Sequence, residues 1–189
     1  MTHYLELCLR LDPEFPAPML MGALYSKLHR GLAELEADDI GVSLPTHQTG
    51  VRARKPGDIL RLHGTAERLE QLMATDWLKG MHDHVQVADV SRVPADAEYR
   101  TVRRRQFKTN VDRLRRRRMR RHGVSEAEAI EAIPDSVEQR VCLPFIQVRS
   151  ASTGQRFCLF IEHGPKQSTP QPGQFNSYGL SPEATVPWF

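Results

Sequence analysis

Seven arginines stand between Arg113 and Arg121, in the stretch VDRLRRRRMRRHG (111–123). No fold can bury that stretch, because unpaired cations are too costly to take out of water. The core must be built elsewhere, with this segment left at the surface. The wider block from Arg100 to Arg121 holds eleven arginines and one lysine against a single acid, Asp112, a net of +11. The whole chain carries only +3, which leaves −8 on the other 167 residues. A charge block of this kind opposes compaction, so its ordinary explanations are a polyanionic partner or a solvated tail. It lies mid-chain, between segments that read as strands, which argues against a tail.

The chain's 189 residues, 40% of them hydrophobic, suffice for one large domain or two small ones. No apolar run approaches the ~20 residues of a membrane span, and the N-terminus lacks the charged-then-apolar plan of a signal peptide. Cys8, Cys142 and Cys158 have no CxxC spacing and are expected to be reduced, buried thiols in a cytoplasmic protein.

The first ninety residues alternate between two periodicities. HYLELCLRL (3–11) puts Leu5, Leu7, Leu9 and Leu11 on one face of a strand. After the turn DPEFPAP, residues 19–35 read as a helix whose Leu20, Leu24, Leu28, Leu32 and Leu35 form one stripe. IGVSLP and DILRLHG are two short strands separated by a polar loop, 46–57. Thr65 can cap a second helix that turns Leu69, Leu72 and Met73 inward, and HVQVADV (84–90) alternates again. The order β-α-β-β-α-β predicts an α+β protein with an N-terminal ferredoxin-like domain over residues 1–95. Such a fold hosts many functions. It carries no RNP1-like aromatic stretch, so binding of single-stranded RNA on the sheet face is not indicated.

SRVPADAEY (91–99) reads as a linker, and residues 96–189 as a second α+β domain containing the arginine-rich helix. Asn110 is its expected N-cap, 111–121 the helix and Gly123 its terminator. On a helical wheel Arg113, Arg116, Arg117 and Arg120 share an arc with Arg121 at its edge, opposite Val111, Leu114 and Met119. SEAEAIEAIPDS is a short acidic helix capped by Ser125 and stopped by Pro134. RVCLPFIQVRS and RFCLFIEHG form a hairpin around ASTGQ. The tail, FNSYGLSPEATVPWF, is punctuated by Gly and Pro and ends on aromatics.

Three features carry possible chemistry. Guanidinium forks match phosphates and the O6/N7 edge of guanine, so the arginine ridge points to nucleic acid, with DNA and RNA not distinguished by charge. His82-Asp83-His84 is a weak metal motif, because alternate strand residues face opposite ways and no further ligand has useful spacing. No metal and no cofactor are therefore expected. His29 stands apart, at the edge of the first helix's apolar stripe. Ser150, Ser152 and Thr153 beside Gly154 could hold a phosphate, although such loops are commonly plain hairpin turns.

HYLELCLRLDPEFP, KLH at His29, RLRRRRMRRH, PFIQVRSASTGQRF, LFIEHGP and the terminal YGLS…VPWF together resemble the CRISPR-associated pre-crRNA-processing endoribonucleases of the type I-F systems, over the whole chain. The resemblance implies an N-terminal ferredoxin-like domain and a distinct C-terminal domain bearing the arginine helix. It further implies recognition of the CRISPR repeat stem-loop and metal-independent cutting at the 3′ base of its stem, leaving a 2′,3′-cyclic phosphate. The product stays bound, and the enzyme becomes a subunit of the interference complex, with no membrane involved.

Position by position, the resemblance makes His29 the general base that takes the proton of the ribose 2′-OH. Ser150 positions that hydroxyl, and Tyr178 orients the histidine. Arg104 and Gln106 read purines in the major groove, Phe157 stacks under the terminal base pair, and Arg117, Arg120 and Arg121 contact phosphates. Arg113, Arg116, Ser152 and Thr153 are further candidates for RNA contact, from the wheel and the loop. Arg103, Arg105, Arg115 and Arg118 are surplus to the matched positions, as further phosphate contacts or solvated charge. The residues by themselves leave open a non-catalytic nucleic-acid-binding subunit of a ribonucleoprotein, with His29 incidental.

Overall fold

The computed structural model describes residues 1–50, 54–107, 111–135, 141–150 and 154–189. Its elements run β1 (His3–Leu9), α1 (Ala17–Glu34), β2 (Gly41–Ser43), β3 (Ile59–Gly64), α2 (Ala66–Ala74), β4 (Val85–Val87), β5 (Ser91–Arg92), β6 (Glu98–Arg105), α3 (Val111–His122), α4 (Glu126–Ala132), β7 (Phe145–Arg149), β8 (Arg156–His163) and β9 (Thr185–Trp188). This is a mixed α+β chain with two antiparallel sheets. Contacts group Met1–Arg105 with Leu143–Phe189 in one compact unit and Gln106–Cys142 in a second.

In the first unit, one sheet has the order β2-β3-β1-β4 and the other the order β7-β8-β6-β9. Alternation in β1 buries Leu5 and Leu7. The strand stops at Leu9, so Leu11, expected on the same inner face, is fully exposed instead. Ser91 and Arg92, read as linker, form β5 and pair with the start of β1 beyond the end of β4. The tail likewise contributes a strand that its Gly and Pro content concealed: β9 pairs with β6, with Pro187 opposite Tyr99. Proline is tolerated there because β9 is an edge strand.

Helix α1 starts after Pro16, whose fixed φ suits a helix entrance. Leu20, Leu24, Leu28 and Leu32 are all buried, as the stripe requires. The helix packs against both β1 and β7. Gly22 permits the second contact, because a Cβ there would collide with the carbonyl oxygen of Gln147 on β7. Helix and strand thus touch backbone to backbone. One hydrophobic cluster joins α1 and α2 to both sheets, from Leu7 and Leu62 to Ile146, Ile161 and Val186. Thr65 caps α2 by accepting from the Arg68 amide.

In the second unit, α3 and α4 pack on each other. Val111 is buried and Leu114 and Met119 are half-buried, while Arg113, Arg116, Arg117, Arg118, Arg120 and Arg121 are exposed. Arg115 differs from its neighbours. Its Nε donates to the Ile133 carbonyl (2.9 Å) and it pairs with Asp135 (2.8 Å), tying the two helices together. Helix α4 begins with a capping box formed by Ser125 and Glu128. Asn110, the cap expected for α3, lies outside the described residues.

The cysteines correct an expectation. Cys142 and Cys158 are exposed and Cys8 is half-exposed; all three are free thiols. No described helix is long and apolar enough to cross a membrane.

Two histidines are buried instead. Burial, aided by Arg61, pushes His63 down to about 3, and burial, with His47 and Arg100 nearby, pushes His163 down to about 2. Each leaves Nδ1 without a partner among the described residues. Above pH ~6.5 both are neutral folded or unfolded and contribute no pH dependence. Below it the unfolded chain takes up protons that the fold refuses, so stability falls with pH towards the folded values. Between pH 6.5 and 5 the expected loss is on the order of 2–4 kcal/mol for the pair. Urea midpoints at pH 7.5 and pH 5 check this; equal midpoints would contradict it.

Candidate active site and nucleic-acid interface

His29 faces outward from the last turns of α1, half-buried. Its Nδ1–H donates to the carbonyl of Ser177 at 2.8 Å. A carbonyl oxygen can only accept, so this bond assigns the ring proton to Nδ1 and leaves Nε2 as the free lone pair of the neutral ring. The ring lies flat on Tyr178, with centroids 3.9 Å apart and planes 2° from parallel.

Tyr178 is itself held by several contacts. Asn176 accepts from the Tyr178 and Leu180 amides through Oδ1, and Gly179 closes the turn with φ +67. A side chain at Gly179 would also collide with Val42. Tyr25, one helical turn before His29, lies near-parallel to the Tyr178 ring and donates its hydroxyl to the Tyr178 carbonyl (2.8 Å). Burial, with Tyr178 close by, pushes the Tyr25 phenol well above its ordinary range, so it remains a donor at any working pH.

These groups open onto a cavity of about 350 Å³ lined by Ser26, His29, Arg30, Val148, Arg149, Ser150, Gly154 and Tyr178. Ser150 follows the last residue of β7, and its backbone N–H and C=O bond to Gln155 and Gly154 across the hairpin mouth. The docking of α1 on β7 at Gly22 thus brings His29 and Ser150 to one cavity from opposite ends of the sequence. Ser152 and Thr153, the other hydroxyls of the loop, lie outside the described residues. The sequence did not single out Arg149 or Tyr25. The nearest signals were adjacency to Ser150 for the first and the four-residue helical spacing from His29 for the second.

Arg104 is exposed near the end of β6, and its guanidinium lies 5.5 Å over the ring of Phe157. Phe157 is half-buried against the core at the start of β8, on the face that carries Leu159 and Ile161. It is both a core side chain and the platform for an arginine. Gln106 is exposed and begins the second unit. Two of the surplus arginines are committed: Arg103 pairs with Glu162 at 2.8 Å, and Arg105 approaches the same carboxylate at 3.3 Å. Arg100, from the same charge block, donates to the Gly164 carbonyl and covers Trp188.

His82 and His84 face different carboxylates, Asp76 at 3.7 Å and Asp12 at 2.8 Å. Among the described residues no cluster of three or more His, Cys, Asp or Glu could hold a metal ion.

Among the described residues, Nε2 of the stacked histidine has no partner and no acid lines the cavity it shares with the serine, an arrangement able to move a proton near an anion. Comparison with known proteins gives the class. Residues 4–189 match the family of CRISPR-associated proteins named Cas_Csy4. The chain is 50% identical to the CRISPR-associated endonuclease Cas6/Csy4 of Pseudomonas aeruginosa (strain UCBPP-PA14), over the full length of both. It is 46% identical to the protein of the same name in Escherichia coli (strain UTI89 / UPEC), again over both full lengths. A solved protein described as an RAMP protein binding different RNA substrates overlaps 98% of the chain at 12% identity, but with a TM-score of only 0.35. The chain belongs to the Cas_Csy4 family and is a CRISPR-associated endonuclease.

Proposed function

We propose that this endonuclease cleaves CRISPR precursor RNA at the 3′ base of the repeat stem-loop without a metal ion, and keeps the stem-loop product. The observation that carries the reading is His29: its Nδ1–H is committed to Ser177, and its ring shares one cavity with Ser150 and Tyr178.

In this reading Nε2 of His29 takes the proton of the ribose 2′-OH upstream of the cut, while Ser150 holds that hydroxyl in line. The O2′–P bond forms, the P–O5′ bond breaks, and the leaving 5′-oxygen takes a proton from solvent. The products are a 2′,3′-cyclic phosphate and a 5′-hydroxyl. The nucleophile is part of the substrate, so alignment and a base suffice and no activated water is required. Tyr178 holds the imidazole plane by stacking.

Arg104 and Gln106 read base edges at the open end of the stem, where the otherwise narrow RNA major groove can be entered. Phe157, carrying Arg104 over its ring, supports the terminal base pair. Arg113, Arg116, Arg117, Arg120 and Arg121 of α3 contact the phosphates, with Ser152 and Thr153 as further contacts. The antiparallel order β4-β1-β3-β2 supports a ferredoxin-like reading of residues 1–95, with RNA recognition assigned to 96–189. Retention of the product makes the enzyme a subunit of the type I-F interference complex in the prokaryotic cytoplasm.

The test is incubation of a labelled repeat hairpin with the protein in excess EDTA. The expected result is a shorter RNA whose 3′ end resists phosphatase until the cyclic phosphate is opened by acid. A hairpin that is shifted on a gel and never cut would instead identify a non-catalytic binding subunit.

A further inference from the structure

The reaction just described puts extra negative charge on the two non-bridging oxygens of the scissile phosphate. Neither a neutral imidazole nor a serine hydroxyl can offset it. We propose that Arg149 is a further catalytic residue of this site, its guanidinium donating to a non-bridging oxygen of the scissile phosphate as the 2′-oxygen attacks. The inference rests on the reading of His29 and Ser150 given above.

Arg149 is the residue before Ser150 and lines the same cavity as His29, Ser150 and Tyr178. Its Nε–H donates to the Gly154 carbonyl at 2.9 Å across the hairpin mouth. That bond fixes the plane of the guanidinium, and its terminal N–H groups have no hydrogen-bond partner among the described residues. No carboxylate among the described residues pairs with Arg149, and none lines the cavity. A larger hollow of about 690 Å³ adjoins it, sharing Ser26, Val148 and Arg149, and adds Arg54, Lys55 and Arg156, again with no acid. An anion entering here meets Arg149, Lys55 and Arg156, with no carboxylate among the described residues that line either hollow.

Arg30, the other cation of the cavity, is exposed on α1 and has no bracing bond of this kind among the described residues. A charge already held in place does not have to be reorganised during the reaction, and such preorganised donors are the effective ones. A planar fork matches two phosphate oxygens better than an ammonium does.

The experiment is single-turnover cleavage by Arg149→Ala and Arg149→Lys at saturating enzyme. Both separated phosphorothioate diastereomers at the cut are compared with the ordinary phosphate. Arg149→Ala is expected to cleave about 10²–10³-fold more slowly, as on losing one preorganised donor. It should hold the cleaved hairpin as tightly as the parent, and added guanidinium ion or the Lys variant should recover part of the rate. One sulfur diastereomer should slow the parent and cause no further slowing in Arg149→Ala.

Parental rates in Arg149→Ala, a defect cured by more enzyme, or a sulfur effect that persists in the variant would each overturn the role of Arg149. Failure of the parent to form a cyclic phosphate would instead overturn the reading of His29, so the two failures are distinguishable.

Discussion

A His29→Ala variant is expected to bind the repeat hairpin with the parent's affinity and to cleave it about 10²–10⁴-fold more slowly, the loss typical of a positioned general base. The two effects separate because the residue is peripheral to the core. His29 is half-buried, and among the described residues its hydrogen bond goes to the Ser177 carbonyl and its ring stacks on Tyr178. Removing the ring leaves the leucine stripe of α1 intact. It also leaves untouched Arg104, Phe157 and the α3 arginines, which supply affinity in this account. Tyr178 stays in place, since Asn176 and Tyr25 hold it independently of His29. Tyr178→Ala should therefore give a smaller defect, because it loosens a base that is still present. Single-turnover rates at saturating enzyme, beside equilibrium binding of the cleaved hairpin, check both variants. Parental cleavage by His29→Ala would remove the imidazole from the chemistry.

Binding is expected to weaken by about 10³-fold between 50 and 200 mM salt, as for a protein that neutralises roughly six phosphates. Six arginines of α3 are exposed, and Arg115 is excluded from that number because its guanidinium is spent on Ile133 and Asp135. Replacing Arg117 and Arg120 together should weaken every hairpin alike and reduce the steepness of the salt dependence. Arg115→Ala should act differently, lowering the stability of the α3–α4 pair with little change in that slope. Arg104→Ala should lose about 1–3 kcal/mol for the cognate stem and little for a stem altered at the pair it reads. If Arg104→Ala weakened cognate and altered stems equally, base reading by that residue would be wrong.

The sequence displayed those parts of the structure that follow from local periodicity. Leucines four apart marked α1, and Thr65 marked the start of α2 to the residue. Alternation marked β1 and β8, because each has one face on the core, and the ASTGQ turn placed β7 opposite β8; β3, read as a short strand, is buried on both faces. What stayed hidden depends on pairing between distant segments. Strand β5 is two residues long and exists only because β1 has a free edge at His3 and Tyr4. Strand β9 contains a proline that would argue against any central strand. Leu11 continued the alternation of β1 in sequence, yet no described partner strand extends that far.

The site divides in the same way. His29 and Ser150 were marked by residue type and family resemblance. Gly22 gave no sign that it sets their approach, since its role appears only when Gln147 of β7 lies against it. The excess of arginines likewise looked uniform in sequence. In the fold, Arg100, Arg103 and Arg115 are structural, and the distinction comes from where Gly164, Glu162 and Ile133 happen to lie.

The central claim is that the nucleophile belongs to the RNA and the protein supplies a base and a grip. It is tested most directly with a hairpin carrying a single 2′-deoxy sugar immediately upstream of the cut. The parent enzyme is predicted to bind this RNA as tightly as the all-ribose hairpin and to leave it intact, with or without divalent metal. Cleavage of the deoxy hairpin at the normal rate would contradict the account, because the attacking oxygen would then have to come from elsewhere.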